Sequence, residues 1–553
     1  MIDRERVLEW TTWLVKHESV VNTDGEATIA KNLYDELKKW PYFEKHPEHI
    51  WLQSTGEPDR TRYNVIALVK AEREVAETTL LIGHTDTVGT EDYGPWRELA
   101  TNPAELRKQL QGEQQIPELV ATQLADEEWM FGRGTLDMKS GVAAHIAILQ
   151  YFSERINIMK GNLLLVAECD EEDSSHGILS AVPFLNQLSA HMGLNISAAI
   201  NADFVTARHE GDRNRYIYLG TVGKLLPTFY VTGKETHVGQ PFEGFDPNLV
   251  LSELTREIDY NPELCDELYG EWTPPPVSLK QTDVKPTYTV QTPLAGFAYY
   301  NFLVHSLSPK DVLDKLKTVA ITAFARAIQI YEDRYATYCR AIGTDHLPTG
   351  LQPRVYTYKE YYDELVNRHG TKVIDELQQK TARWKDSDMD IRLYCCRLVE
   401  ELHRFDENRS PVCIVFYSSL YSPRIALSKD NPREHRLQIA VRKAVEGVQD
   451  KYQHPIVIRQ FFPYISDMSF VSLSDDEAGI DAYKANMPAW GNRHYVPFDE
   501  IRKLNVPIVN IGPYGFDAHK KWERVELTYS LEIVPKLIVS VIDGLWNSPA
   551  TSE

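Results

Sequence analysis

Seven residues in this chain have the types and the placement for hydrolytic metal chemistry: His84, Asp86, Asp137, Glu171, Glu172, Asp203 and His519. They lie in five segments that follow strand-like runs, namely LLIGHTDTVG, FGRGTLDMKSG, LLLVAECDEEDSSHG, AAINADF and IVNIGPYGFDAHKKW. In the first, His84 and Asp86 stand two residues apart, so on a strand they face the same side. Alone, that pair is an ordinary polar loop. Together the five segments supply His, Asp and Glu without Cys, the mixed N/O donor set that zinc, manganese and cobalt take in hydrolases. Two ions about 3.5–4 Å apart need a bridging carboxylate and further ligands on each. Asp137 is the candidate bridge, with His84 and Asp203 for one ion and Glu172 and His519 for the other. Glu171 is then left beside a ligand without being one, the place of a general base. Asp86 is left to orient His84 from behind.

Elements must bring these segments together. Over roughly the first 205 residues, helical stretches (Arg4–Leu14, Thr28–Trp40, Asp137–Phe152) alternate with strand-like ones (Asn64–Lys70, Thr79–Ile82, Asn162–Glu168, Ala198–Ala202). That alternation predicts an α/β layer with a largely parallel sheet, and strands ending at one edge converge their carboxyl ends on one crevice. The middle reads differently. Tyr216–Leu219, Pro227–Thr232 and Phe297–Val304 read as strands, and Asp246–Asp259 and Pro309–Gln329 as helices, a small α+β pattern. Thr273–Thr287 is Pro-rich and reads as an exposed excursion. A charged, Tyr-rich stretch runs from Tyr331 to Arg409, helical over Asp375–Glu401, its tyrosines read as packing. From Pro411 the α/β pattern resumes through VCIVFY, a helix over Arg433–Tyr452, IVIRQF, VPIVNIGPYG and a closing helix over Val525–Leu545.

With 553 residues, more than one domain is expected. The 80 acidic residues against 59 basic ones, a formal charge of −21, argue against a nucleic-acid partner. The six cysteines show no metal-finger pairing and read as free thiols of a reducing compartment. The opening MIDRERVLEWTTWLVKHESV reads as a charged helix rather than a signal peptide, and no apolar run reaches membrane-spanning length. A cytoplasmic location follows as the expectation.

GHTDTVG, GRGTLDMKSG, the DEE of ECDEEDSSHG, NADF and AHKKWE, with GKETHVGQPFEGFDPN in the middle, occur in an order that resembles the M20 metallopeptidase family of carboxypeptidases, dipeptidases and aminoacylases. Length and the long middle segment look most like its arginine-utilisation branch. The resemblance implies an α/β, zinc-peptidase-like catalytic domain whose mixed, largely parallel sheet is flanked by helices and interrupted by an inserted α+β lid. On that reading residues 1–212 and 411–553 form the catalytic domain and 213–410 the lid or dimerisation-like domain with a long extra segment. The resemblance also implies His84, Asp137, Glu172, Asp203 and His519 as ligands of two divalent ions, zinc first with cobalt or manganese as alternatives. It implies Glu171 as catalytic base, Asp86 as partner of His84, a cis peptide bond after Asp137, and His237 as the lid histidine that contacts the oxyanion. The family's lid arginine for a substrate carboxylate is missing, with Leu303 in its place and Arg424 and Arg354 as weakly supported substitutes.

The plainer readings are set beside these. His176 reads as a surface-loop histidine, His145 as packed inside a helix, and SDDE (Ser474–Glu477) as solvated surface. Asp467 is equally a helix-start acid or a residue near the site. The expectation is a cytoplasmic dinuclear hydrolase, monomer or homodimer, cleaving an amide of a small peptide or N-acyl amino acid, in arginine or amino-acid catabolism. The alternatives are an N-carbamoyl or N-acyl amino-acid amidohydrolase, and a non-catalytic metal-binding regulator on the same scaffold.

Overall fold

The computed structural model describes residues 2–385 and 387–547. They divide into two compact units. The first holds the chain up to Thr221, Ile425–Leu473 and the chain from Pro497; the second holds Val222–Arg424 and Ser474–Val496.

The first unit is built on an eight-stranded mixed sheet in the order Ile50–Ser54, Tyr63–Val69, Asn162–Glu168, Glu77–His84, Asn195–Asn201, Ile508–Asn510, Arg215–Tyr218, Ile456–Arg459. Its centre is parallel: Glu77–His84 pairs in parallel with both neighbours, and Asn195–Asn201 pairs in parallel with Ile508–Asn510. Such strands are covered on both faces, so they read as continuous apolar runs rather than alternating ones; Thr78 through His84 are all buried. Among the helices, Arg4–Lys16 packs on Lys139–Ser153, and Pro432–Gln449 on Val534–Asn547. Among the described residues no helix is long and apolar enough to cross a membrane.

The second unit centres on a sheet in the order Val277–Asp283, Ala295–Val304, Pro227–Thr232, Val412–Tyr417, Val355–Thr357, with Gly223–Leu225 also paired to Ala295–Val304. Helices Pro247–Ile258 and Pro309–Ile342 pack together. The latter starts at a capping box of Ser308 and Asp311 and ends at Gly343, whose φ of 72° is the left-handed value a helix stop favours. It runs well past the expected end at Gln329 because Tyr331, Tyr335 and Tyr338, spaced along one helical face, pack on Phe242 with ring centroids at 5.6, 4.7 and 5.3 Å, the first edge-on and the second stacked.

Several boundaries differ from the sequence expectation, and the reasons are tertiary. Tyr216–Leu219, expected in the middle domain, supplies the strand Arg215–Tyr218 of the first unit's sheet. VCIVFY, expected to open the second catalytic half at 411, lies in the second unit between Pro227–Thr232 and Val355–Thr357. Part of the Pro-rich excursion forms an edge strand, Val277–Asp283, antiparallel to Ala295–Val304. The expected helix over Asp375–Glu401 is two helices, Thr371–Trp384 and Ile391–His403. The expected closing helix begins at Val534, after a short strand Arg524–Glu526 and one π-helical turn. SDDE is not all surface: Asp475 is buried, paired with Arg424 and accepting from the Tyr421 hydroxyl.

Candidate metal centre

Strand ends and the loops after them deliver the side chains. His84 is the last residue of Glu77–His84, in register with Glu168 of the neighbouring strand. The loop after Glu168 carries Glu171 and Glu172. Asp203 follows Asn195–Asn201, and its backbone is gripped from both sides by one amide: Asp203 N–H donates to Asn510 Oδ1 at 2.9 Å, and Asn510 Nδ2 donates to Asp203 O at 2.8 Å. This junction tolerates no side chain at Gly512, where a Cβ would stand 1.8 Å from the Asp203 carbonyl oxygen. His519 comes from the loop beyond, at φ 63°.

The centre of the cluster is Asp137. Its Oδ1 lies 3.1 Å from His84 Nε2 and its Oδ2 2.9 Å from His519 Nε2. His519 Nε2 is also 3.1 Å from Glu172 Oε1. One carboxylate therefore addresses two different imidazoles, one through each oxygen. The donor atoms of His84, Asp137 and Glu172 all lie within 4.8 Å of one another, a group that could hold a metal ion. Glu171 Oε2 stands 3.8 Å from His84 Nε2, near the cluster without a hydrogen bond to it. The Asp137–Met138 peptide bond is cis, as the resemblance implied.

The back side of His84 differs in detail from the expectation. His84 Nδ1 is 3.1 Å from the backbone oxygen of Asp86 and 3.7 Å from its carboxylate Oδ1. A carbonyl oxygen only accepts, so Nδ1 carries a hydrogen and Nε2 is the nitrogen that faces the cluster, donating to Asp137 when the ring is protonated and able to ligate an ion when it is neutral. The Asp86 carboxylate spends its other oxygen on the Glu172 backbone N–H at 3.1 Å. Asp86 thus orients one ligand through its main chain and holds the loop of another through its side chain.

Electrostatics agree with a site built for cations. Burial works against a charged His84, yet Asp137, Glu171 and Asp86 hold its imidazole well above its ordinary value. Burial likewise opposes the charge on His519, but Asp137 and Glu172 raise it to about 10. Burial pushes the Asp137 carboxyl up, and the hydrogen bonds from His519 and His84 more than offset it, leaving it below the usual range. Burial, then the negative charge of Asp137, raises Asp203 to about 7. Burial raises Asp86 to about 6 and Glu171 well above the carboxylate range, with Asp467, Glu172 and Asp203 adding to the latter. Carboxylates outnumber the imidazoles here, and the excess either takes up protons or is neutralised by bound dications. The N/O donor set, the shared carboxylate and the negative excess fit divalent transition-metal ions.

Residues that sequence reasoning passed over hold the frame. Glu523, fully buried, accepts at Oε1 from the backbone N–H groups of Leu136 at 3.2 Å and Asp137 at 3.4 Å, and its Oε2 takes Arg133 Nη1 at 2.6 Å. Arg133 also donates to the Gly89 carbonyl at 3.0 Å and pairs with Asp92 at 2.8 Å. Glu523 lies four residues after His519 in AHKKWE, so its spacing was the available signal. On the other side, buried Arg62 pairs with Glu26 at 3.0 Å, Glu57 at 2.9 Å and Asp170 at 3.0 Å. Asp170 sits at φ 66°, immediately before Glu171.

The remaining candidates fall as follows. His176 joins this frame rather than the cluster, with Nδ1 2.6 Å from Asp170 Oδ2. His145 is buried in Lys139–Ser153, with no hydrogen-bond partner at either ring nitrogen among the described residues. Asp467 is buried in the short turn Asp467–Phe470, where burial pushes its carboxyl well up. His237 belongs to the second unit, on an exposed segment, and its Nδ1 accepts from the Gly239 N–H at 3.0 Å. That bond leaves the ring hydrogen of neutral His237 on Nε2. Leu303 pairs with Lys224. Of its proposed substitutes, Arg424 is ion-paired to Asp475, and Arg354 to Asp406 at 2.6 Å.

The model of peptidase family M20/M25/M40 matches residues 80–486. Protein RocB of Bacillus subtilis is 36% identical over 537 residues, covering 97% of this chain and 94% of RocB. The uncharacterized protein YqjN of the same organism is 33% identical over 549 residues, covering 98% and 96%. Among solved structures, a tripeptidase from Staphylococcus aureus matches at a TM-score of 0.51 and 14% identity, covering 99% of this chain and 100% of that one, a likeness of fold.

Proposed function

The chain belongs to peptidase family M20/M25/M40 and is a hydrolase of that family; on that premise we propose that it uses two divalent ions, zinc foremost, to cleave an amide bond in a small peptide or N-acyl amino acid. His84 and Asp203 would hold one ion, Glu172 and His519 the other, and Asp137 both. When bound, such ions supply positive charge that polarises a scissile carbonyl and strengthens water as a nucleophile. The observation that carries the reading is Asp137, whose two oxygens reach the Nε2 atoms of two separate histidines.

The chain's own residues do the rest. Glu171 stands 3.8 Å from His84 Nε2 beside the cluster, and burial pushes its carboxyl upward, the direction that favours proton exchange over a fixed negative charge. It takes a proton from the attacking water and returns it to the amide nitrogen as the carbon–nitrogen bond breaks. The Asp86 main chain keeps His84 in the Nδ1–H form. His237, with its hydrogen on Nε2, is the proposed donor to the carbonyl oxygen as it gains charge. A place in arginine or amino-acid catabolism rests on the sequence resemblance alone. A cytoplasmic setting is supported by six free cysteines, five of them buried.

The test is Glu171→Ala, assayed on dipeptides, N-acyl and N-carbamoyl amino acids, arginine derivatives included, with and without chelator. Turnover is expected to vanish while metal content stays at the wild-type value. Full activity in the variant removes Glu171 as base; chelator-resistant turnover removes the metals.

A further inference from the structure

Away from that cluster, two imidazoles and a carboxylate meet in a turn of the first unit. The turn is HPEH, His46 to His49, between the helix Pro41–Lys45 and the edge strand Ile50–Ser54. Glu48 Oε1 lies 3.4 Å from His46 Nδ1 and 3.7 Å from His49 Nε2, and the three donor atoms all lie within 4.8 Å of one another. Glu48 Oε1 makes a long hydrogen-bond contact with His46 at 3.4 Å, whereas its 3.7 Å separation from His49 is beyond hydrogen-bond range. The spacing also suits shared ligation, because donors about 2.0–2.1 Å from one tetrahedral ion stand about 3.3–3.4 Å from each other.

The rings are held for it. His46 and His49 lie near parallel, 12° apart with centroids at 5.1 Å, and Tyr42 packs against both at 4.9 and 5.9 Å. The Tyr42 hydroxyl oxygen accepts from the Lys70 backbone N–H at 2.8 Å and lies 2.9 Å from His49 Nδ1. That engages Nδ1 and turns Nε2 of His49 toward Glu48. A second hydrogen-bonded partner on the far nitrogen is what orients a metal-binding histidine. His49 is buried, so its ring is fixed by its surroundings. Glu48 is exposed, which leaves an ion bound there open to solvent.

We propose that His46 Nδ1, Glu48 Oε1 and His49 Nε2 form a separate three-donor site for a divalent transition-metal ion of the zinc class, with the remaining coordination open to solvent. Nitrogen and carboxylate donors suit zinc, cobalt, nickel or copper, and three protein ligands leave a fourth position for water or an outside donor. An ion there would clasp the turn that enters the edge strand.

The experiment compares full-length wild-type protein with H46Q and E48Q, both altered at side chains that are not fully buried, and with H49Q. Each is stripped with chelator and titrated with zinc against a chromophoric competitor, with cobalt absorption as a second readout. The expected result is one equivalent fewer zinc bound by each variant than by wild type, with the same hydrolytic activity and circular dichroism. Equal stoichiometry and equal affinity in wild type, H46Q and E48Q would overturn the site. If H49Q does not fold, H46Q and E48Q alone decide.

Discussion

The carboxylate of Glu523 accepts from the backbone N–H of Asp137, with 3.4 Å between Oε1 and N. The same oxygen takes Leu136 N–H at 3.2 Å, and the opposite oxygen is anchored by Arg133 at 2.6 Å. The residue proposed to share two ions is thus placed by a main-chain grip from the loop that bears His519.

That grip predicts a split between two substitutions. Glu523→Gln keeps an acceptor for the amides but weakens the hold on Arg133. Outer partners of metal ligands affect metal affinity or activity by about 10–100-fold, and a loss of that size is expected. Glu523→Ala removes the acceptor and half of a buried ion pair, a change that costs about 3–5 kcal/mol. Metal content and thermal unfolding check both. Wild-type metal retention and turnover in Glu523→Ala would show that the grip positions nothing.

Arg62 makes a parallel case behind the Glu pair. It is 2% exposed and neutralises Glu26, Glu57 and Asp170. Burial, together with the charge of Asp86, already raises Glu26 to about 7 despite Arg62. Arg62→Met leaves the three carboxylates to one another, with an expected loss of about 3–5 kcal/mol. Arg62→Lys restores charge without the guanidinium fork and is expected to recover part of it. Denaturant unfolding of the three proteins is the measurement; equal midpoints would contradict the assignment.

The cluster of His84, Asp137, Glu172 and His519 could be picked out of the sequence because each member follows a buried run, and a polar residue there has few other uses. TTLLI ending in His84 is such a run, as is NLLLVAE ahead of Glu171 and Glu172. What periodicity does not carry is which sheet a run joins. VCIVFY reads as a strand wherever it pairs, and its partners Pro227–Thr232 and Val355–Thr357 lie nearly 200 and 60 residues upstream. Asp475 looked like surface because its partners, Tyr421 and Arg424, are about fifty residues away. Glu523 and Asn510 escaped notice since both act on backbone groups, which every residue has.

Removing metal is expected to destabilise the first unit as well as end turnover. Asp137 and Glu172 contact the two imidazoles, with buried Asp86 and Asp203 and half-buried Glu171 adding negative charge around buried His84 while His519 stays exposed. A ligand present at a thousand times its dissociation constant stabilises the native state by about 4 kcal/mol. Chelated protein should therefore unfold at lower temperature than protein refilled with zinc. Asp137→Asn should narrow that difference. An unfolding temperature indifferent to chelator would mean the cluster holds no ion tightly.

His145 supplies a prediction about pH. Burial pushes its imidazole from 6.5 down to about 3, and neither ring nitrogen has a hydrogen-bond partner among the described residues. The folded value is depressed, so the unfolded chain takes the proton first. Stability is then complete above pH 6.5 and lost progressively as pH falls toward 3. The full loss is about 5 kcal/mol, at about 1.4 kcal/mol per pH unit. His145→Leu, similar in bulk and without a titrating group, should unfold in acid later than wild type while differing little above pH 7. Urea midpoints of both proteins across the acid range measure it. Parallel acid sensitivity in the two would mean that protonation at position 145 contributes nothing to acid unfolding.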